Sequence, residues 1–373
     1  MDAIKVEIKS KATIGPSSPI PQRLRSLKLS LLDQLSSRVF RENQFVECND
    51  CGAKFIEAEA NCPLSEILRL LKVELLDQLL PFDYHIARLP TKFQIAVQAN
   101  VFTCGGLAIG WCTLHKLIDG VTFTSLVNTW AAKSRGSGDH LSSAFVGLQL
   151  FPQKDLSEKI TSHSCGDRPS CNEVVSALIW KCAMDASRAR SGSSVSSVLI
   201  QTVNLRARIN PSLSEFCAGN LFWLAMASGS DQIGLHDLVS EIRKSIKKFD
   251  WEHVRKMQGK SGFSLIFESL KQIVELASAN VDIYRFTSLG KFQLYEADFS
   301  WGKLVWVSST RLIFKNVVVL IELRFGDGID AWVTMEEKDL GVFERNQELL
   351  AFASATESPS CLLLNSLALS SSL

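Results

Sequence analysis

The stretch Phe102-Thr-Cys-Gly-Gly-Leu-Ala-Ile-Gly-Trp-Cys-Thr-Leu-His115-Lys-Leu-Ile-Asp119-Gly120 changes period part-way along, and that change decides how the chain is built. From Phe93 to Leu114 the residues are densely apolar, with frequent β-branched and aromatic types, and Cys104-Gly105-Gly106 interrupts them. This pattern predicts two buried strands joined by a tight glycine turn. Phe123, Leu126, Val127, Trp130 and Ala131 then recur at helical spacing, so His115–Gly120 is a strand-to-helix junction. The junction is the one place where an imidazole and a carboxylate sit close together in a dense apolar setting. An unperturbed imidazole titrates at about pH 6.5, so a neutral histidine can accept a proton from a hydroxyl or an amine. The spacing equally suits a hydrogen-bonded core histidine, with Asp119 as N-cap of a helix over 121–132.

Working outward, 46% hydrophobic and 21% charged residues in 373 make a chain that folds, with material for two domains. The formal charge is +1, and no segment gathers positive charge into a stripe that could follow a phosphate backbone, so no nucleic-acid partner is expected. Apolar runs such as Leu221–Ala227 and Val317–Ile321 are far shorter than the ~18 residues a bilayer requires. The opening MDAIKVEIKS alternates charged and apolar residues and lacks a secretory core, which predicts a cytoplasmic protein. Ten scattered cysteines then read as free thiols. Cys48 and Cys51 have CxxC spacing without the further pair that zinc needs. The six histidines form no HxxxH or HExxH pair, and GxSxG, GxGxxG and GxxxxGK are absent, so no bound cofactor or metal is expected.

The opening is strand-like, then rich in Pro and Ser at 16–21, and Leu64–Leu71 has helical apolar spacing. Residues 133–170 are rich in Ser, Gly, Lys and Asp, the composition of a connection between packed units. This predicts an N-terminal domain over 1–145, a crossover linker over 146–169 and a C-terminal domain over 170–373. Ser170 and Glu173 have capping-box spacing ahead of a helix with the stripe Val175, Leu178, Ile179, Cys182 and Ala186. A strand over 198–205, helices over 235–247 and 264–276, and strands from Tyr284 onward follow. Gly326-Asp327-Gly328 marks a hairpin between Val317–Phe325 and Ile329–Met335.

Taken in order, these motifs resemble the BAHD acyltransferases of plants, most closely the vinorine-synthase-like branch. The resemblance rests on Phe102-x-Cys-Gly-Gly-x-Ala-Ile-Gly110, His115-x-x-x-Asp119-Gly120 and Trp130-Ala131. It continues through Glu173-Val-Val-Ser-Ala-Leu-Ile-Trp-Lys181, Asn204-Leu-Arg206-x-Arg208, Gly219-Asn220, Asp298-Phe-Ser-Trp301-Gly302 and Gly326-Asp-Gly-Ile-Asp-Ala-Trp-Val333. Near the start, Ser17-Ser-Pro19 and Leu29-Ser-Leu-Leu-Asp33-Gln34 are similar to the family's opening. What this implies is a two-domain α/β fold of the chloramphenicol-acetyltransferase-like type, with mixed sheets covered by helices and a channel between the domains. The co-substrate would be an acyl-CoA, acetyl-CoA by the branch, and the acceptor a hydroxyl or amine of an alkaloid or terpenoid, handled by a monomer.

By the same resemblance His115 is the general base, and Asp119 with Gly120 is structural, paired with Arg206 or Arg208. Asp298, Trp301 and Gly302 belong to architecture, with Ser300 where the family has a glycine, so the tight backbone there must tolerate a Cβ. Thr287, in Phe286-Thr-Ser-Leu289, takes the place of an oxyanion donor, while Leu289 stands where the family usually has Trp and donates nothing. The resemblance also implies two missing segments, on the order of several tens of residues together. One, a strand and a helix ending in a YPLAGR-like run, would lie after Leu35, with Arg41 its last trace; the other lies before Arg168. Their loss predicts an impaired enzyme or a homologue that only binds small molecules, with Leu29, Leu31 and Leu32 left without apolar partners.

Overall fold

The computed structural model describes residues 4–17, 19–20, 22, 25–35, 45–82, 93–136, 144–145, 147–151, 170–193, 196–259, 262–279, 281–289, 293–309, 312, 314–325, 328–355 and 365–370. Two compact units divide the chain. Among the described residues, one holds 4–29 and 45–117, and the other holds 30–35, 118–355 and 365–370. The linker expected at 146–169 lies mostly outside the described residues, and the division itself falls between Leu117 and Ile118. Residues after Ile118 belong with the later chain because their helix is anchored there: Asn128 Nδ2 donates to the Gln293 carbonyl at 3.1 Å and Ser134 Oγ to that of Phe299 at 3.4 Å.

The first unit carries a four-stranded mixed sheet in the order Val6–Ile14, Ala53–Ala60, Ile95–Phe102, Leu107–Thr113. The glycine turn joins the last two strands as the sequence predicts, with Gly105 at φ +77° and its N–H on the Phe102 carbonyl at 2.8 Å. Gln98, Asn100 and Gly110 face the Leu64–Leu70 and Val73–Gln78 helices, where Gln98 donates to the Gln78 carbonyl and Asn100 to that of Leu79, both at 2.9 Å. A Cβ on Gly110 would lie 2.0 Å from the Leu79 oxygen, so the close approach of helix end to strand requires glycine. On the opposite face Val97 is buried, Phe55, Ala99, Ile109 and Trp111 are half-buried and Val101 is 48% exposed. The strand leading to His115 is therefore more deeply buried on one face than on the other.

The second unit is a seven-stranded mixed sheet in the order Phe222–Gly229, Ser197–Asn204, Asp282–Ser288, Val317–Glu322, Gly328–Thr334, Asn365–Ser370, Ala353–Ala355. Asp282–Ser288 runs parallel to both its neighbours, which requires crossovers, and helices supply them. The Cys171–Ser191 helix opens with the capping box of Ser170 and Glu173 and ends at Gly192 in the left-handed conformation. Its stripe of Leu178, Ile179, Cys182 and Ala186 is buried with Trp180 against Leu199, Phe286 and Leu320. The Leu235–Lys247 helix matches its expected bounds, and Gly262–Ser278 extends the one expected at 264–276. The sequence pattern did not predict the Phe222–Gly229 strand, the short Trp251–Met257 helix capped by Asp250, or the late helices Glu337–Phe343 and Gln347–Leu350. The hairpin of Val317–Glu322 and Gly328–Thr334 is present, with Gly326 and Asp327 outside the described residues.

Leu29, Leu31 and Leu32 are not stranded. They are 1%, 7% and 2% exposed, and the latter two pack with Phe151, Leu205, Leu221 and Trp223. For Leu31 and Leu32 the reason is that the Leu31–Leu35 helix belongs to the second unit rather than the first. Residues 36–44 and Arg168 lie outside the described residues. The eight described cysteines are free thiols, and among the described residues no helix is long and apolar enough to cross a membrane and no cluster could hold a metal ion.

Candidate active site

His115 follows the Leu107–Thr113 strand in a turn closed by the Leu117 N–H on the Leu114 carbonyl at 2.9 Å, and it is exposed. The buried setting expected from the apolar run does not extend to it, because the strand is covered on one face and ends two residues earlier.

Four residues on, Asp119 caps the Gly120–Ser134 helix, and Gly120 is the helix's first residue. Its carboxylate accepts from the Thr122 N–H at 2.9 Å, the Thr122 hydroxyl at 2.8 Å and the Leu221 N–H at 3.1 Å. Arg206 completes the set through Nη1 at 2.7 Å and Nη2 at 3.1 Å. Both side chains are buried, and burial of such a pair is tolerated only when the remaining polar atoms are also satisfied. Here they are: the Arg206 guanidinium also donates to the carbonyls of Cys217 and Gly219. Asp119 thus serves both the capping role and the ion pair, and its partner is Arg206. Arg208 instead donates to the carbonyls of Ile246 and Phe249, and burial holds its pKa below the usual value.

Thr287 lies on the Asp282–Ser288 strand, half-buried, between the buried Phe286 and Ser288. Its hydroxyl is 3.1 Å from that of Thr202 on the adjoining strand, and Asn172 donates to Ser288 at 3.0 Å. Leu289 N–H donates to the Leu320 carbonyl at 2.7 Å, so the segment carrying Thr287 is ordered on both sides.

The Asp298–Gly302 segment is a tight bend. Ser300 stands at φ +70° and does tolerate a Cβ there, its N–H donating to the Asp298 carboxylate at 2.9 Å. Phe299 is buried and sits edge-on to Trp130 at 5.2 Å, while Trp301, 61% exposed, stacks on Phe299 at 5.1 Å. Arg135 donates to the Asp298 carbonyl. These contacts tie the helix after Asp119 to the bend.

Sequence reasoning recorded Asp33 only as part of an opening motif. Its buried carboxylate accepts from Asn220 N–H at 2.8 Å, and burial raises its pKa above the ordinary carboxylate value. The signal available was the Ser30-x-x-Asp33 spacing of a capping box.

Two mixed sheets with helices, and a strand-to-helix turn locked by a buried carboxylate and guanidinium, define the two-domain α/β fold of the chloramphenicol-acetyltransferase-like type. The chain belongs to the Transferase family, the BAHD acyltransferases, whose sequence profile matches residues 36–147 and 149–350. It is 30% identical to limonoid 21-O-acetyltransferase of Melia azedarach over 94% of this chain and 99% of that one. It is 32% identical to akuammiline synthase 1 of Alstonia scholaris over 92% and 97%. Among solved structures, vinorine synthase matches with a TM-score of 0.78 at 26% identity, covering 93% of this chain and 98% of that one. The fold extends to F. sporotrichioides TRI101, solved with coenzyme A and T-2, at a TM-score of 0.67 and 14% identity over 82% of each chain.

Proposed function

We propose that this protein transfers an acetyl group from acetyl-CoA to a hydroxyl of a plant alkaloid or terpenoid, with His115 as general base. The observation that carries the reading is the ordered HxxxD turn in a chain whose relatives along nine-tenths of its length are named as acetyltransferases of limonoids and of stemmadenine. In this reading His115 takes the proton as the acceptor oxygen attacks the thioester carbonyl. The Thr287 hydroxyl donates to the oxyanion so formed; collapse breaks the carbon–sulfur bond, and the proton passes from the imidazolium to the departing thiolate. Both co-substrates are diffusible, no resident cofactor takes part, and we place the reaction in the cytoplasm on a monomer. Incubation of the full chain with acetyl-CoA and a panel of alcohols that includes stemmadenine, followed by mass detection of acetylated product, tests it. Transfer to no member, with acetyl-CoA bound, counts against it.

One observation favours a second reading. The match to the limonoid 21-O-acetyltransferase of Melia azedarach runs over 425 positions although the chain has 373 residues, so parts of that relative have no counterpart here. If the gaps include the strand and helix expected after Leu35, the product binds its small molecules and turns over slowly or not at all. Ligand-induced thermal stabilisation without acetyl transfer is the signature of that outcome.

A further inference from the structure

Three consecutive backbone amides in the second unit donate to three side chains drawn from two separate parts of the sequence, 33 and 119–122. Gly219 N–H goes to the Thr122 hydroxyl at 3.2 Å, Asn220 N–H to Asp33 Oδ1 at 2.8 Å, and Leu221 N–H to Asp119 Oδ2 at 3.1 Å. Gly219 adopts φ +113°, and its carbonyl accepts from Arg206 at 2.8 Å. The clamp therefore has two arms. One is the Asp119–Thr122–Arg206 set that follows His115, and the other is Asp33.

Asp33 is held as firmly as it holds. Its Oδ1 also accepts from Asn220 Nδ2 at 3.2 Å, and its Oδ2 from the Ser30 N–H at 3.0 Å and the Ser30 hydroxyl at 2.6 Å. The Ser30–Asp33 capping box starts the Leu31–Leu35 helix, but a surface carboxylate would cap it equally well. Here the carboxylate is 5% exposed and one oxygen is committed to Asn220, so the desolvation cost is met for contact with the clamp as well as for the cap. Leu31 N–H on the Phe151 carbonyl at 3.1 Å, and Leu31 and Leu32 in the surrounding core, fix where that carboxylate sits.

We infer that Asp33 is a positioning residue for the HxxxD turn: by fixing the Asn220 amide it aims the neighbouring Leu221 amide at Asp119, and so sets the residue from which the His115 turn is hung. The inference rests on the acyl-transfer reading for its effect on turnover, but not for its structural content. A displacement of about 1 Å at a reacting group costs on the order of a hundredfold in rate, so a small rotation of the 219–221 backbone is sufficient to be felt.

The test is Asp33→Asn in the full chain. An amide at 33 points a donor at donors on either its Ser30 or its Asn220 side, so part of the set is unmade. Hydrogen exchange at the Asn220 and Leu221 amides should quicken by about tenfold or more, and the His115 imidazole resonance should move while that of the exposed His236 does not. With acetyl-CoA and stemmadenine as probes, kcat should fall roughly ten- to a hundredfold and KM for acetyl-CoA change less than about threefold. A folded Asp33→Asn protein with unchanged exchange at both amides and an unchanged His115 resonance overturns the inference. If the native chain transfers no acetyl group yet exchange and resonance respond, the positioning role stands and the acyl-transfer reading fails. If Asp33→Asn does not fold, Ser30→Ala decides, since it removes only the hydroxyl of the box: faster exchange at Asn220 supports the inference, and unchanged exchange overturns it.

Discussion

Asp119 and Arg206 face each other through two hydrogen bonds of 2.7 and 3.1 Å, in a site where the two side chains are 6% and 2% exposed. Fork geometry and burial together make this pair sensitive to loss of either partner, because the survivor is left as an uncompensated charge. Asp119→Asn keeps an N-cap but removes the charge, and should cost about 3–5 kcal/mol of stability. Acetyl transfer should fall in step with the melting temperature, measured on the same preparations. A protein of native melting temperature that has lost turnover would give Asp119 a part in the reaction itself.

His115 is exposed on its turn, so its removal should leave the fold intact. His115→Ala is expected to lower kcat by roughly 10²- to 10⁴-fold, the range for a positioned proton acceptor, with acetyl-CoA affinity nearly unchanged. Calorimetric binding alongside turnover separates the two. Native turnover in the variant would remove His115 from the reaction.

Much of this was legible because the decisive signals are local. The glycine turn at Cys104-Gly105-Gly106, the change of period after His115 and the Ser170–Glu173 box each concern residues within a few positions of one another, and each element formed where expected. The choice between Arg206 and Arg208 was not legible: both belong to one motif, and only the path of the chain after the short 3-10 turn Arg206–Arg208 buries one at Asp119 and sends the other to the carbonyls of Ile246 and Phe249. The destination of Leu31 and Leu32 was hidden for a similar reason. Apolar pattern says that a face is buried, not which unit buries it, and a five-residue helix far from residue 118 in sequence joined the second unit. The exposure of His115 was not legible because a dense apolar run does not by itself distinguish a strand buried on both faces from one whose burial alternates.

For Thr287 the expected effect is modest and depends on its hydroxyl. Thr287→Val preserves the β-branched shape in the strand and removes the donor, so kcat should fall by about 10- to 100-fold while the unfolding midpoint moves little. Leu289→Trp adds an indole N–H where this chain has none, and should raise kcat if oxyanion stabilisation limits the rate. A Thr287→Val protein with native kcat would leave the residue as a strand component only.

Thiol chemistry should follow the local fields. Cys104 is exposed, and the Leu64 and Gly106 N–H groups aimed at its sulfur hold its pKa below the ordinary thiol value. Burial pushes Cys112 up to about 11 and Cys182 up to about 12. A lower pKa means more thiolate at a given pH, so at about pH 8 iodoacetamide should label Cys104 first, whereas Cys112 and Cys182 should wait for unfolding. Peptide mapping over a time course reads the order, and early labelling of Cys182 would contradict it.

The last prediction concerns the first unit's sheet. Its Gln98–Asn100–Gly110 face is covered by two short helices, whereas on the other Val97 is buried, Ala99, Ile109 and Trp111 are half-buried and Val101 is 48% exposed. At ~25 cal/mol per Å², a few hundred Å² of apolar sheet left in water forgoes several kcal/mol, against a typical total of roughly 5–15. An amphipathic strand-and-helix insert placed after Ser36, patterned on the family's longer members, would supply a cover. Each kcal/mol gained should raise the melting temperature by about 2–4 °C, with less light scattering on heating. Acetyl transfer should rise as well, because the strand that leads into the His115 turn would then be packed on both faces. An insert that folds but leaves melting temperature, scattering and turnover where they were would mean that this face already has the cover it needs.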